Sequence, residues 1–65
     1  MNTHAFIFYL QGNGNWVMEA EKILPGPVAE LDALKDYGAA NTPEDTHRVF
    51  LLPTAQEPNK EWTLH

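Results

Sequence analysis

Residues 4–10, HAFIFYL, run straight into Gln11-Gly12-Asn13-Gly14-Asn15 and then into a second apolar stretch that opens at Trp16. Aromatic and branched side chains favour extended backbone, so the first run predicts a β-strand. On it Phe6, Phe8 and Leu10 share one face, and Ala5, Ile7 and Tyr9 share the other. Apolar character on both sides is expected of a central strand, or of one whose second face is covered. Asn-Gly between two apolar runs is the strongest short-range hairpin signal. A type I′ turn there needs positive φ at Asn13 and Gly14.

Residues 15–24, NWVMEAEKIL, fit two readings. As a strand they put Trp16, Met18 and Ala20 on one face, with Val17, Glu19, Glu21 and Ile23 on the other; as a helix they cluster Trp16, Ala20, Ile23 and Leu24. The Asn-Gly turn favours the strand. Pro25-Gly26-Pro27 ends this element and opens a helix over 27–37, since a proline in the first turn loses no hydrogen bond. Val28, Leu31, Leu34 and Tyr37 recur at threes and predict its apolar stripe, and Gly38 stands where a left-handed residue closes a helix.

Residues 39–46, AANTPEDT, read as a loop with one helical turn from Pro43 after a Thr42 cap. Residues 47–52, HRVFLL, read as a strand, 53–60 as a long turn, and 61–65, EWTLH, as a last strand with Trp62 and Leu64 inward. The expectation is a single α+β domain over 1–65. Its two hairpins form a four-stranded antiparallel sheet in ββαββ order, with one helix packed on a face. Trp16, Trp62, Phe6, Phe8, Tyr9, Tyr37 and Phe50 are expected to build the core that so short a chain needs. Of these aromatics Trp16, beside the turn, is the candidate for partial exposure and for anchoring a partner, with burial in the core the favoured reading.

Composition narrows the functional classes. A chain of 65 residues is near the lower limit for a core without staples. It contains no cysteine and no serine, which removes disulfides, thiolate metal sites and the two commonest nucleophiles. No catalytic residue and no cofactor is assigned. Gly12-Asn13-Gly14 lacks the third glycine of a dinucleotide fingerprint, because position 17 is Val, and no lysine precedes Lys22, so it is no Walker loop. His4, His47 and His65 show no paired ligand spacing, so no metal is expected. The longest apolar run, 5–10, is too short to span a bilayer. No basic residue precedes it, which speaks against a cleaved signal peptide and for a soluble, cytoplasmic protein.

Nine acids against four bases give a net charge of −5, which repels phosphate backbones and excludes direct nucleic-acid binding as an expectation. The acids cluster: Glu19 and Glu21 two apart in a strand, Glu30, Asp32 and Asp36 along the helix, Glu44 and Asp45 beyond it. One bland reading is a solvated acidic surface that keeps a small protein soluble. A sharper one follows from spacing. Side chains two apart on a strand are about 7 Å apart, which matches alternate phosphates at roughly 3.4 Å each along one DNA strand. Glu19, Glu21, Glu30, Asp32 and Asp36, with Trp16 as an apolar contact, are then candidates for binding a basic protein in place of nucleic acid.

The stretches HAFIFYLQGNGNW, PGPVAELDALKDYG and HRVFLLP, in a short, acidic, cysteine-free chain, resemble the small phage-encoded anti-CRISPR proteins, the type I-C inhibitors in particular. That group has no shared motif, so no site residue carries over. The resemblance implies a non-enzymatic inhibitor, acting as a monomer in the infected bacterial cytoplasm. It would bind a Cascade-type surveillance complex where DNA would lie. The alternative expectation is a small assembly module that associates through a sheet edge or an apolar patch.

Overall fold

The computed structural model describes residues 1–38, 46–58 and 63–64. Strands β1 (Asn2–Leu10), β2 (Trp16–Leu24) and β3 (His47–Thr54) form an antiparallel sheet in the order β3-β1-β2, and helix α1 (Glu30–Tyr37) packs on one face. The fold is α+β, and β1 is the central strand, as its two apolar faces predict. The segment 15–24 is a strand, as the Asn-Gly signal indicates.

The turn differs from the expected type. Gly14 has φ 86° and no described non-glycine residue has positive φ, so Asn13 is not left-handed. Gly14 N–H donates to Gln11 O at 2.9 Å, and Gln11 N–H donates to Asn15 O at 2.9 Å. This closes a three-residue loop in which only the last residue is left-handed, the common alternative to the two-residue turn. Asn13 serves through its side chain instead, its Oδ1 accepting from Asn15 N–H at 3.0 Å.

The second expected hairpin is corrected by the pairing. β3 aligns along β1, from Asn2 opposite Thr54 to Tyr9 opposite His47, rather than beside a following strand. It also runs two residues further than expected, through Pro53, which an edge strand tolerates. Of the expected last strand, residues 61, 62 and 65 lie outside the described residues, as does the expected helical turn near 43. Thr63 and Leu64 alone are placed, extended against β2 opposite Glu21 and Ala20.

One irregularity sets which side chains face where. Ile7 opposes Ala20 but Phe8 opposes Met18, so Glu19 is an extra residue, a β-bulge. The side-chain period of a strand is two, so one inserted residue exchanges the faces of everything beyond it. Ala20 and Leu24 therefore turn toward α1 and join the core with Ala5, Ile7, Val49 and Ala33. Glu21 and Ile23 turn to the opposite face, opposite Phe6 and His4.

α1 starts later and sits rotated relative to its expected stripe. Thr3 Oγ1 donates to Gly26 O at 2.8 Å, and Gly26, at φ 69°, donates N–H to Asn2 Oδ1 at 3.4 Å. These bonds tie the Pro25-Gly26-Pro27 corner to β1, and Ala29 is still extended at φ −88°, ψ 160°. The helix ends as expected at Gly38, φ 94°, whose N–H reaches Leu34 O and Lys35 O. Ala33 is the fully buried helix residue, Val28, Leu34 and Tyr37 pack around it, and Leu31 is 54% exposed. Three alanines, Ala5, Ala20 and Ala33, share the core with Ile7, Leu24 and Val49, and Tyr37 is the expected core aromatic that packs against it.

Ala33→Leu should therefore destabilise the fold by about 1–3 kcal/mol through overpacking, whereas Leu31→Ala should change stability by less than about 0.5 kcal/mol. Urea unfolding followed by circular dichroism measures both.

Candidate functional site

The candidate carboxylates are not brought together. Glu19, held on the bulge, faces α1: Tyr37 Oη donates to Glu19 Oε1, and His47 Nε2 lies 3.6 Å from Glu19 Oε2. The His47 side chain is nearly buried, with Thr46 Oγ1 3.2 Å from its Nδ1 and the Tyr9 and Tyr37 rings at 5.3 and 6.5 Å. Glu19 thus joins β2, α1 and β3 from within. Glu21 points to the other face, where its Oε2 lies 3.2 Å from His4 Nε2, and His4 stacks on Phe6 with centroids 4.1 Å apart. The expected pair of carboxylates on one face is overturned by the bulge between them.

Asp36 is also engaged. Lys22 Nζ, carried to the helix side by the same bulge, lies 3.1 Å from Asp36 Oδ2. That cation offsets the unfavourable position of an acid near a helix C-terminus, and it comes from a strand rather than from Lys35. Glu30 and Asp32 stand exposed in the first turn of α1, where negative charge complements the macrodipole. Of the five candidate acids, these two remain as outward-facing charge.

The Tyr37 phenol is pushed up to about 12, first by burial and then by its hydrogen bond to Glu19 and that carboxylate's negative charge. All three causes disfavour the phenolate. Among the described residues no group of three or more His, Cys, Asp or Glu could hold a metal, and His4 and His47 lie on opposite faces of the sheet.

The face away from α1 carries the aromatics. Phe6 and Phe8 of β1 are flanked on β3 by Phe50 and Arg48 and on β2 by Met18, with Trp16 opposite Leu10. Phe8 and Phe50 meet edge to face at 5.4 Å and 87°. Arg48 Cζ lies 4.8 Å over the Trp16 ring, a cation–π contact reaching across β1. Trp16 is partly buried beside the turn; of the aromatics expected in the core Tyr37 packs against it, Phe6, Phe8 and Phe50 stand on the face away from α1, and Trp62 lies outside the described residues. Phe50 is 58% exposed and Leu52, on the same face, 56%. Among the described residues of this face Ile23 is the one that is buried, while Phe6 and Phe8 are partly buried, Phe6 under the stacked His4 ring. The helix covers the other side, and Phe50 and Leu52 are the large apolar side chains left most exposed here. Alternation showed that β1 was apolar on both sides; β3's contribution was missed, though the two-residue spacing of Phe50 and Leu52 in HRVFLL is the signal that could have found it.

The raised Tyr37 value has a stability consequence with a definite sign. The folded chain keeps a phenol proton that the unfolded chain, at the ordinary value of 10.0, gives up. The contribution is whole below pH 10 and should be lost as pH climbs from 10 toward about 12. Absorbance titration at the phenolate band should show one tyrosine titrating near 12, and Tyr37→Phe should remove that step. A single step at the ordinary value for both tyrosines would contradict the Glu19–Tyr37 contact. Comparison with known proteins finds no family model, no characterised relative and no solved structure that matches this chain.

Proposed function

We propose that this chain is a non-catalytic protein-binding module whose contact surface is the sheet face opposite α1. The observation that carries this reading is the exposure of Phe50 and Leu52 beside the partly buried Phe6, Phe8 and Trp16 on the sheet face away from α1. Contiguous apolar surface of this kind marks interaction sites in soluble proteins. Aromatic residues and arginine are the side chains that most often dominate binding energy, and Arg48 over Trp16 supplies both at one place. Thr63 and Leu64 along β2 support a full four-stranded sheet in ββαββ order, with the last strand at the β2 edge. No described helix is long and apolar enough to cross a membrane, and a cytoplasmic location accompanies this reading.

A second reading rests on charge. The net charge of −5 and the exposed Glu30 and Asp32 support an inhibitor that displaces nucleic acid from a basic complex, as the resemblance to anti-CRISPR proteins implies. Its acidic surface is narrower than spacing alone suggests, because Glu19, Glu21 and Asp36 each have a partner within the fold.

The two readings separate experimentally. Wild-type chain and a Phe50→Asp/Leu52→Asp variant, both immobilised and matched for helicity, should be exposed to the same lysate. The first reading expects a protein that wild type retains and the variant loses by about ten-fold or more, and equal retention would count against it. Under the second, Glu30→Lys/Asp32→Lys should weaken displacement of DNA from a Cascade-type complex and flatten its salt dependence, with Tm unchanged.

A further inference from the structure

We infer that a second copy of this chain covers the open sheet face, giving a two-fold symmetric dimer packed sheet against sheet. The inference rests on the reading of that face as the contact surface and names its occupant. Three observations carry it.

The first is charge self-complementarity. Arg48 stands on β3 opposite Phe8, and Glu21 stands on β2 opposite Phe6. The two opposite charges therefore lie on the flanking strands at diagonally related corners, with the phenylalanines between them. Strands are about 4.8 Å apart and residues two along a strand about 6.8 Å, so this diagonal runs steeply across the sheet. A two-fold axis lying between facing sheets and perpendicular to that diagonal puts each Arg48 over the partner's Glu21. The strands of the two sheets then cross at roughly 70°, near the orthogonal class of sheet packing. Within each copy Glu21 already meets His4 and Arg48 already lies over Trp16, so the contact between copies adds to these interactions and does not require either charge to be unpartnered. An isologous contact requires a patch to match itself, and this one does.

The second is area. Phe50 and Leu52 are more than half exposed and Phe6, Phe8 and Trp16 partly so. With aromatic side chains of about 150–250 Å² each, of which Phe50 shows over half and the other rings about a third or less, these five residues offer on the order of 300–450 Å² per copy. The pair would bury about 600–900 Å² in total, the small end of interface sizes, so the expected dimer is weak and concentration-dependent. The third is the thinness of the core under α1, where among the described residues Ile7 is the one large side chain that is completely buried and three of its companions are alanines. A chain of 65 residues without cysteine gains by burying its aromatics against another subunit. Glu30 and Asp32 lie on the helix side, so the dimer keeps these acids on its two outer surfaces, away from the contact. The monomer implied by the anti-CRISPR resemblance is replaced in this proposal by a pair.

Sedimentation equilibrium of the untagged chain tests this, up to about 200 μM. The expected species has twice the chain mass of 7.4 kDa. Arg48→Glu and Glu21→Arg alone should each weaken association by about ten-fold or more, and the double charge swap should restore it. Phe50→Asp should give a monomer whose circular dichroism matches wild type. A wild type that stays monomeric overturns the proposal. So does a dimer that neither Phe50→Asp nor the single charge changes weaken, since it would use another surface. Binding of a hydrophobic fluorescent dye tells the two levels apart. A monomer whose dye signal falls with Phe50→Asp removes the second copy but leaves the face as a binding surface. A monomer with no such difference removes both.

Discussion

A helix of eight residues is about 12 Å long, and it can shield only one face of a three-stranded sheet. Every other feature follows from how the chain distributes side chains between the shielded face and the open one. The shielded face receives small residues, Ala5, Ala20 and Ala33, which let helix and strands approach closely around Ile7. The face away from α1 receives the rings of Phe6, Phe8, Trp16 and Phe50, of which Phe50 is more than half exposed.

The bulge at Glu19 makes the division possible. Strict alternation from Trp16 would send Ala20 and Leu24 to the open face and Glu21 into the core. One extra residue reverses this and also frees the Glu19 carboxylate to reach Tyr37 and His47, which belong to different elements. The same reversal brings Lys22 to Asp36. A single insertion in β2 thereby sets the core composition, two cross-element polar contacts and the separation of the acids that spacing would have paired.

The strands, the helix C-terminus and the central place of β1 were legible because each has a local cause. Asn13-Gly14 turns the chain, Gly38 stops the helix, and HAFIFYL is apolar on both alternations. The bulge was not legible in the alternation of WVMEAEKIL, since a period-two pattern does not show where it skips a beat. Its trace was the adjacent apolar pair Ile23 and Leu24, which no single half-exposed strand face accommodates. The helix start was hidden for a different reason, because the bonds from Asn2 and Thr3 that hold Gly26 come from residues more than twenty positions away. The carboxylate site failed with the bulge, while Trp16 is only partly buried, where burial was favoured, and has Arg48 as a neighbour from the far strand.

The pairing of Asn2 with Thr54 has a consequence in time. β1 meets β2 as soon as the Gly14 loop forms, but its other edge waits for a strand that arrives only after the helix. A growing chain therefore carries an early hairpin with one row of amides unpaired and its rings in water until residues 47–54 emerge. Return of that late strand is the slow, non-local step, and it closes the ladder and completes the aromatic face together.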